Sequence, residues 1–381
     1  MQYITSKLPN TGTTIFTVMS KMAQEYDAIN LSQGFPNFEV DPKLIELVNQ
    51  AMKNGHNQYA PMAGLFSLRE IISEKVERLY QKGYSPENEI TITSGATQAI
   101  FTVIAAVIRP RDEVIVFKPA YDSYEPSIEV FGGTVVPIQL KAPDFKPDWN
   151  EVAARITNKT KMIIINSPHN PSGKIWNKED MLRLESLLKD TNILLLSDEV
   201  YEHIIFDGAT HQSASKFPAL AERAFITASF GKTFHATGWK MGYCLAPKVL
   251  MGEFRKVHQF NVFCSNHPIQ SALSEYLKQP EHYEALPDFY QQKRDLFLSL
   301  LKGSKFTFTP SAGTYFQLLD YTAITDERDV DFAERLTKDY KIASIPTSVF
   351  NLNQQDNQLL RFCFAKTDDT LKQAAEILCG I

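Results

Sequence analysis

The chain has 381 residues, with 39 Lys and Arg against 44 Asp and Glu, a formal net charge of −5. That length supports two lobes and a large core, and mild acidity without a dense Lys/Arg run argues against nucleic acid or an anionic membrane surface as partner. The N-terminal "MQYITSKLPNTG" lacks a signal-peptide core, no transmembrane-length apolar run follows, and Cys244, Cys264, Cys363 and Cys379 form no C-x-x-C, so the cysteines read as buried thiols of a reducing cytoplasm rather than disulfides or zinc ligands.

In chain order, the first forty residues read as loop-rich. The alternating pattern starts at residues 89–95, "EITITSG", a strand ending in a turn. "ATQAIFTVIAAVI" follows, with Ala96, Ala99, Ile100, Val103, Ile104 and Val107 at helical spacing. "DEVIVF" is a strand, then residues 123–131 are helix-like. "KMIIIN" is a continuous apolar run, expected of a strand buried on both faces. "NKEDMLRLESLLKD" is an amphipathic helix with Asn177 and Asp180 placed as N-cap and N3 partner. "NILLLS" and "AFITAS" are further buried strands, and "YCLA" follows too soon for a crossover helix, so it pairs antiparallel. The rhythm predicts an α/β domain with a mostly parallel sheet. Beyond it, a helix over about residues 283–302 with "FTFTP", "TYFQLLDY" and "LLRFCFAK" predicts a small α+β lobe.

The polar residues fall at the carboxyl ends of these strands. Gly95, Ala96 and Thr97 follow one strand, Tyr121 the next and Asn170 a third; Asp198 and Tyr201 close a fourth, Ser229 and Lys232 a fifth. Ligands of open α/β sheets bind at such ends, so one site can collect all five groups. "SGAT" opens a helix whose free N–H groups suit a phosphate, with Ser229 and Lys240 in reach of the same anion. Asp198 ends a very apolar strand, where a ring N–H⁺ would balance its charge. Tyr201 and Asn170 can hydrogen-bond a phenolate oxygen, and Tyr121 offers a ring face. Burial and the neighbouring Lys240 favour the neutral, nucleophilic form of Lys232. Phosphate, pyridinium, phenolate and imine chemistry together describe pyridoxal 5′-phosphate.

"SFGKTFHATGWKMGY", "NSPHNPSGK", "SDEVYEH" and "LRFCFAK" resemble the motifs of the class I/II, fold-type I aminotransferases, in the family's order and over nearly the whole chain. "KLPNTGTTIFTVMS" and "INLSQGFPNF" are similar to the branch holding kynurenine and bacterial methionine aminotransferases. The resemblance implies the pyridoxal-phosphate transferase fold, with a large cofactor-binding domain over residues 42–282 and a small domain built from 1–41 and 283–381. It implies Lys232 as the lysine bonded to the cofactor, Asp198 as partner of the pyridinium, and Tyr201 and Asn170 at the phenolate oxygen. Ser229 and Lys240 go to the phosphate, and Arg361 to the substrate α-carboxylate with Gly34 close by. Tyr59, in "NQYAPMAG", matches the tyrosine that reaches the phosphate of the other subunit, which implies a homodimer with shared sites. Many relatives carry arginine where this chain has Lys240, which keeps the charge and loses the fork.

Rival readings fail on spacing. Ser229 to Lys232 is a literal S-x-x-K, but Ser197-Asp198-Glu199 replaces the S-D-N box and there is no K-T-G. A P-loop needs glycine where Ile226 stands. Glu199, Glu202 and His203 lack metal-ligand spacing and read as a solvated helix start; no metal is expected. A cofactor-binding transcription regulator has no room for its DNA-binding domain. A cysteine-S-conjugate or cystathionine β-lyase shares every cofactor residue, so it stays open as the alternative. The expected activity is transfer of an amino group from an amino acid to a 2-oxo acid. No second arginine stands in the motifs beside Arg361, and Phe16 and Phe263 offer aromatic walls. The expected substrates are therefore large apolar or aromatic amino acids, methionine among the best.

Overall fold

The computed structural model describes residues 4–381; the first three residues of "MQYITSKLPNTG" lie outside them. A short strand β1 (Ile29–Asn30) precedes the central sheet. That sheet comprises β2 (Ile90–Thr93), β3 (Glu113–Lys118), β4 (Thr134–Gln139), β5 (Thr160–Asn166), β6 (Leu194–Asp198), β7 (Ala224–Ser229) and β8 (Gly242–Leu245). The C-terminal part adds β9 (Phe316–Asp320), β10 (Ile342–Ala343), β11 (Ile345–Pro346) and β12 (Leu359–Cys363).

The spatial order in the central sheet is β2-β8-β7-β6-β5-β3-β4. Neighbours from β7 to β4 are parallel, and β8 runs antiparallel to both β7 and β2. β2, β3, β5, β6 and β7 therefore all end on one edge of the sheet, and β8 begins there. Period-2 alternation divides the apolar runs between two cores. Met162, Ile164, Leu196 and Phe225 join one cluster; Ile163, Ile165, Leu195 and Ile226 join the other. Each such side chain contributes roughly 1.5–3 kcal/mol by leaving water, which is why apolar residues dominate the interiors of these strands.

The capping box at Asn177 and Asp180 forms, opening the helix Lys178–Leu188. β8 pairs antiparallel with β7, as its short connection requires. Gly242 starts β8 where three backbones converge: a Cβ there would lie 2.5 Å from Ala228 O and 3.1 Å from Ala96 N. The C-terminal strands form a three-stranded antiparallel sheet, β11-β12-β9, and β1 pairs in parallel with β10, so the N-terminal segment docks onto the C-terminal part.

Several expectations are corrected. The first forty residues contain a helix, Ile15–Glu25, capped by the Thr14 side chain. The helix expected over 283–302 is two, Glu281–Glu284 and Leu286–Leu300, with Pro287 in the first turn of the second. "FTFTP" makes a single bridge, Thr307 to Asp320, not a strand. β4 was not anticipated: Pro137 interrupts its pattern, tolerated because β4 is an edge strand. Of the cysteines, Cys244 and Cys363 are buried, whereas Cys379 is exposed and Cys264 is intermediate.

Candidate active site

The shared strand edge opens into a cavity of about 270 Å³ lined by Gly95, Ala96, Thr97, Tyr121, Asn170, Asp198, Tyr201, Ser229, Lys232 and Lys240, all at or after strands of the central sheet. Phe16 and Gly34 from the N-terminal segment, with Phe316 and Arg361 from β9 and β12, also line it.

On one wall, the helix Ala96–Val107 starts without a side-chain cap, leaving its first N–H groups directed at the cavity. Gly95 reaches this turn with φ 81°, and a Cβ on it would be 3.7 Å from the Lys240 side chain. Lys240 stands just ahead of β8, whose Gly242 pairs with Ser229. Ser229 in turn caps the short helix Phe230–Thr233, accepting from Lys232 N–H at 3.3 Å. Its own hydroxyl proton remains free to donate. A helix start, a hydroxyl and an ammonium thus converge.

On the floor, Asp198 is 4 % exposed, and burial pushes its carboxyl up to about 6. Oδ2 accepts from the Tyr124 hydroxyl at 2.5 Å and Oδ1 from Val200 N–H at 3.4 Å. Lys232 Nζ donates to the Gly34 carbonyl at 3.0 Å. Burial, with smaller contributions from cationic Arg361 and Lys240, holds the Lys232 amine down to about 8. The same Gly34 carbonyl accepts from the Tyr315 hydroxyl at 2.6 Å. Glycine is required at this position, since a Cβ would come 2.7 Å from Phe316 Cζ. Tyr201 packs edge-on against Tyr315, and burial raises its phenol.

Opposite, Arg361 is 1 % exposed in β12. Its guanidinium lies 3.9 Å from the Phe316 ring centroid and 5.2 Å from that of Phe16. One nitrogen donates to Asn170 Oδ1 at 2.7 Å and another to Ser32 O at 2.9 Å, but Nε is buried without a partner. Burial lowers its pKa to about 10, so it is a desolvated cation awaiting an anion. From Asn170 a chain of bonds reaches the floor: Asn170 N–H to Asn166 Oδ1 at 2.8 Å, then Asn166 Nδ2 to Asp198 O at 2.9 Å.

Two expected residues are elsewhere. Tyr59 is 81 % exposed and Phe263 is 49 % exposed; they meet edge-on at 5.2 Å and do not line this cavity. Phe263 as a wall in its own chain is therefore corrected. Glu199, Glu202 and His203 are not a solvated helix start but buried. Glu202 pairs with Lys75 at 2.6 Å and accepts from Tyr243 at 2.9 Å, and Glu199 lies 2.7 Å from His211. Lys75 reaches in from the helix Phe66–Tyr80 and neutralises a charge the strand end could not otherwise bury. Sequence reasoning passed over Asn166, Gln33, Tyr124, Tyr315 and Phe316. Asn166 ends "KMIIIN", and the rule that found Asp198 applies equally to it.

A carboxylate floor, a lysine of lowered basicity and a buried arginine thus line one cavity. The sequence profile of "Aminotransferase class I and II" matches residues 26–378, and the chain belongs to that family. It is 49 % identical, over 98 % of its length and 97 % of the relative's, to the methionine aminotransferase of Escherichia coli. A solved Escherichia coli structure assigned a methionine aminotransferase function superposes with TM-score 0.98 at 47 % identity, covering 100 % of both chains. The N-succinyldiaminopimelate aminotransferase structure of Mycobacterium tuberculosis gives 0.95 at 33 %, covering 99 % of both. Human kynurenine–oxoglutarate transaminase 3 is 32 % identical over 98 % of this chain and 89 % of its own. The fold is that of the fold-type I aminotransferases, and the protein is an aminotransferase.

Proposed function

We propose that this aminotransferase depends on pyridoxal 5′-phosphate and moves the amino group of a large apolar or aromatic amino acid to a 2-oxo acid. Methionine, phenylalanine, tyrosine and kynurenine are the substrate types intended. When bound, the cofactor supplies the electron sink that lets the Cα–H bond of an amino acid break. The donor set fits it. The uncapped helix start at Gly95, Ala96 and Thr97, with Ser229 and Lys240, would hold the phosphate; Asp198 the ring nitrogen; Tyr201 and the free Asn170 amide the phenolate oxygen; Tyr121 the ring face; and Lys232 the covalent link.

Arg361 would take the substrate α-carboxylate, which supplies the anion its buried guanidinium lacks. Lys232 Nζ, with its amine lowered to about 8 by burial, is the base that removes the substrate Cα proton. The Gly34 carbonyl gives that amine a fixed resting position. Phe16 and Phe316 flank Arg361 and exclude water from the ion pair.

The observation that carries the substrate class is the charge inventory. Among the described residues of one chain, Lys232, Lys240 and Arg361 are the cations lining the cavity, and each has a role; none of these is left for a side-chain carboxylate. The name of the Escherichia coli relative points the same way.

The exposed Tyr59–Phe263 pair supports a homodimer in which each subunit adds these two rings to the other's cavity. All four cysteines are unpaired, which suits the cytoplasm. No helix among the described residues is long and apolar enough to cross a membrane. The test is a panel of amino acids assayed with and without a 2-oxo acid acceptor. Acceptor-dependent turnover, best with apolar and aromatic donors, is expected. Pyruvate and ammonia released without acceptor would mean β-elimination instead, and aspartate as best donor would refute the substrate class.

A further inference from the structure

The turn after β3 carries two tyrosines three residues apart, and they do different things. Tyr121 lines the cavity. Tyr124, the first residue of the helix Tyr124–Val130, is 3 % exposed and packs in the core with Val116, Ile164 and Leu196. The two rings meet edge-on at 5.7 Å and 82°. From its apolar setting Tyr124 sends its hydroxyl to Asp198 Oδ2 at 2.5 Å. Oδ1 has only the long Val200 contact, so Oδ1 is the oxygen left to face a ligand.

We propose that Tyr124 is a positioning residue that keeps the proton shared between Asp198 and a bound pyridine ring on the ring nitrogen. This rests on the pyridoxal-phosphate reading given above. Burial favours the neutral carboxylic acid at Asp198, and nearby Glu199 adds to that; Lys232 opposes it from a distance. Without help, Asp198 would compete with the ring nitrogen for the proton. A hydrogen bond donated to the charged carboxylate stabilises that form and moves the proton toward the ring. The donor must also be neutral. A Lys, Arg or protonated His at this place would cancel the Asp198 charge and with it the attraction for a pyridinium. A phenol whose own ionisation is pushed well up by burial donates without adding charge. Tyr121 and Tyr201, the other titratable groups around Asp198, are likewise phenols raised by burial and supply no cation.

The experiment loads the protein with cofactor carrying nitrogen-15 in the ring and reads the ring-nitrogen NMR shift. The comparison is wild type, Tyr124→Phe, the protein with 3-fluorotyrosine in place of Tyr124, and Asp198→Asn as control. Expected is a shift toward neutral pyridine in Tyr124→Phe and toward pyridinium with the more acidic fluorophenol. kcat falls about tenfold or more in Tyr124→Phe, as for loss of one hydrogen bond to a charged group, while KM stays within about twofold. An identical ring-nitrogen shift in wild type, Tyr124→Phe and the fluorotyrosine protein would overturn the role of Tyr124. No change in Asp198→Asn would overturn the ring-partner assignment beneath it, a separate result. If Tyr124→Phe does not fold, the fluorotyrosine protein, with fluorine for one hydrogen, carries the comparison alone.

Discussion

Replacing Arg361 by lysine probes the substrate end of the cavity. The arginine spends its donors on two partners, Asn170 and the Ser32 carbonyl, while Nε is buried without one. A carboxylate arriving there would be held by the planar fork between the Phe16 and Phe316 rings. Lysine keeps the charge but presents a point donor on a flexible stem, and it leaves either the carboxylate or Asn170 and Ser32 under-satisfied. One lost charge-assisted hydrogen bond is worth about 1.5–3 kcal/mol, or roughly 10- to 150-fold in substrate affinity. The assay is the amino-acid concentration dependence of cofactor conversion in a single half-reaction, with cofactor content measured separately by absorbance. Both the amino acid and the oxo acid should weaken within that range while cofactor content stays at the wild-type value. Unchanged affinity would mean the carboxylate binds elsewhere, and loss of cofactor would mean that Arg361 holds the cofactor site rather than the substrate.

Three further outcomes follow from particular contacts. In cofactor-free protein, capture of pyridoxal phosphate needs the neutral Lys232 amine; because burial lowers its pKa, the capture rate should rise with pH and level off above about 8, and a rate still climbing toward ordinary lysine values near 10.4 would contradict this. Lys75→Met strands the buried Glu202 carboxylate and should destabilise the fold by about 3–5 kcal/mol in denaturant melts; a midpoint and slope equal to wild type would show that the pair contributes nothing. Mixing inactive Lys232→Ala subunits with Tyr59→Phe subunits should yield heterodimers holding one site with both native residues, and activity no higher than that of the parent variants would place Tyr59 outside the partner's site.

What could be read from the sequence was whatever a strand end makes conspicuous. Asp198 stands out because "NILLLS" before it admits no other charge, and Lys232 because it follows a strand in a segment with three glycines, Gly231, Gly238 and Gly242. Once the strands were in order, convergence of Gly95, Tyr121, Asn170, Asp198 and Ser229 needed only their common direction, which the parallel pairings provide for β3 to β7 and the two antiparallel pairings of β8 for β2. Contacts between distant segments were not readable. Tyr315 and Gly34 meet across 281 residues of sequence, and Asn170 and Arg361 across 191. Tyr124 lay inside a stretch already assigned as helix, with nothing local to reveal a bond to Asp198, 74 residues on. Glu202 was misread for the same reason: its cation, Lys75, is 127 residues away. Phe263 and Tyr59 stand apart from the cavity, exposed and edge-on to each other, and nothing local in the sequence shows that outward placement.

The central claim is that Lys232 is the residue through which this aminotransferase works. Reducing the cofactor-loaded protein with borohydride, digesting it and sequencing the labelled peptide tests that claim directly. The label should fall on a single peptide, at Lys232 within "SFGKTFHATGWK". Label on Lys240 or on any other lysine, or none at all in protein that still transfers amino groups, would contradict it.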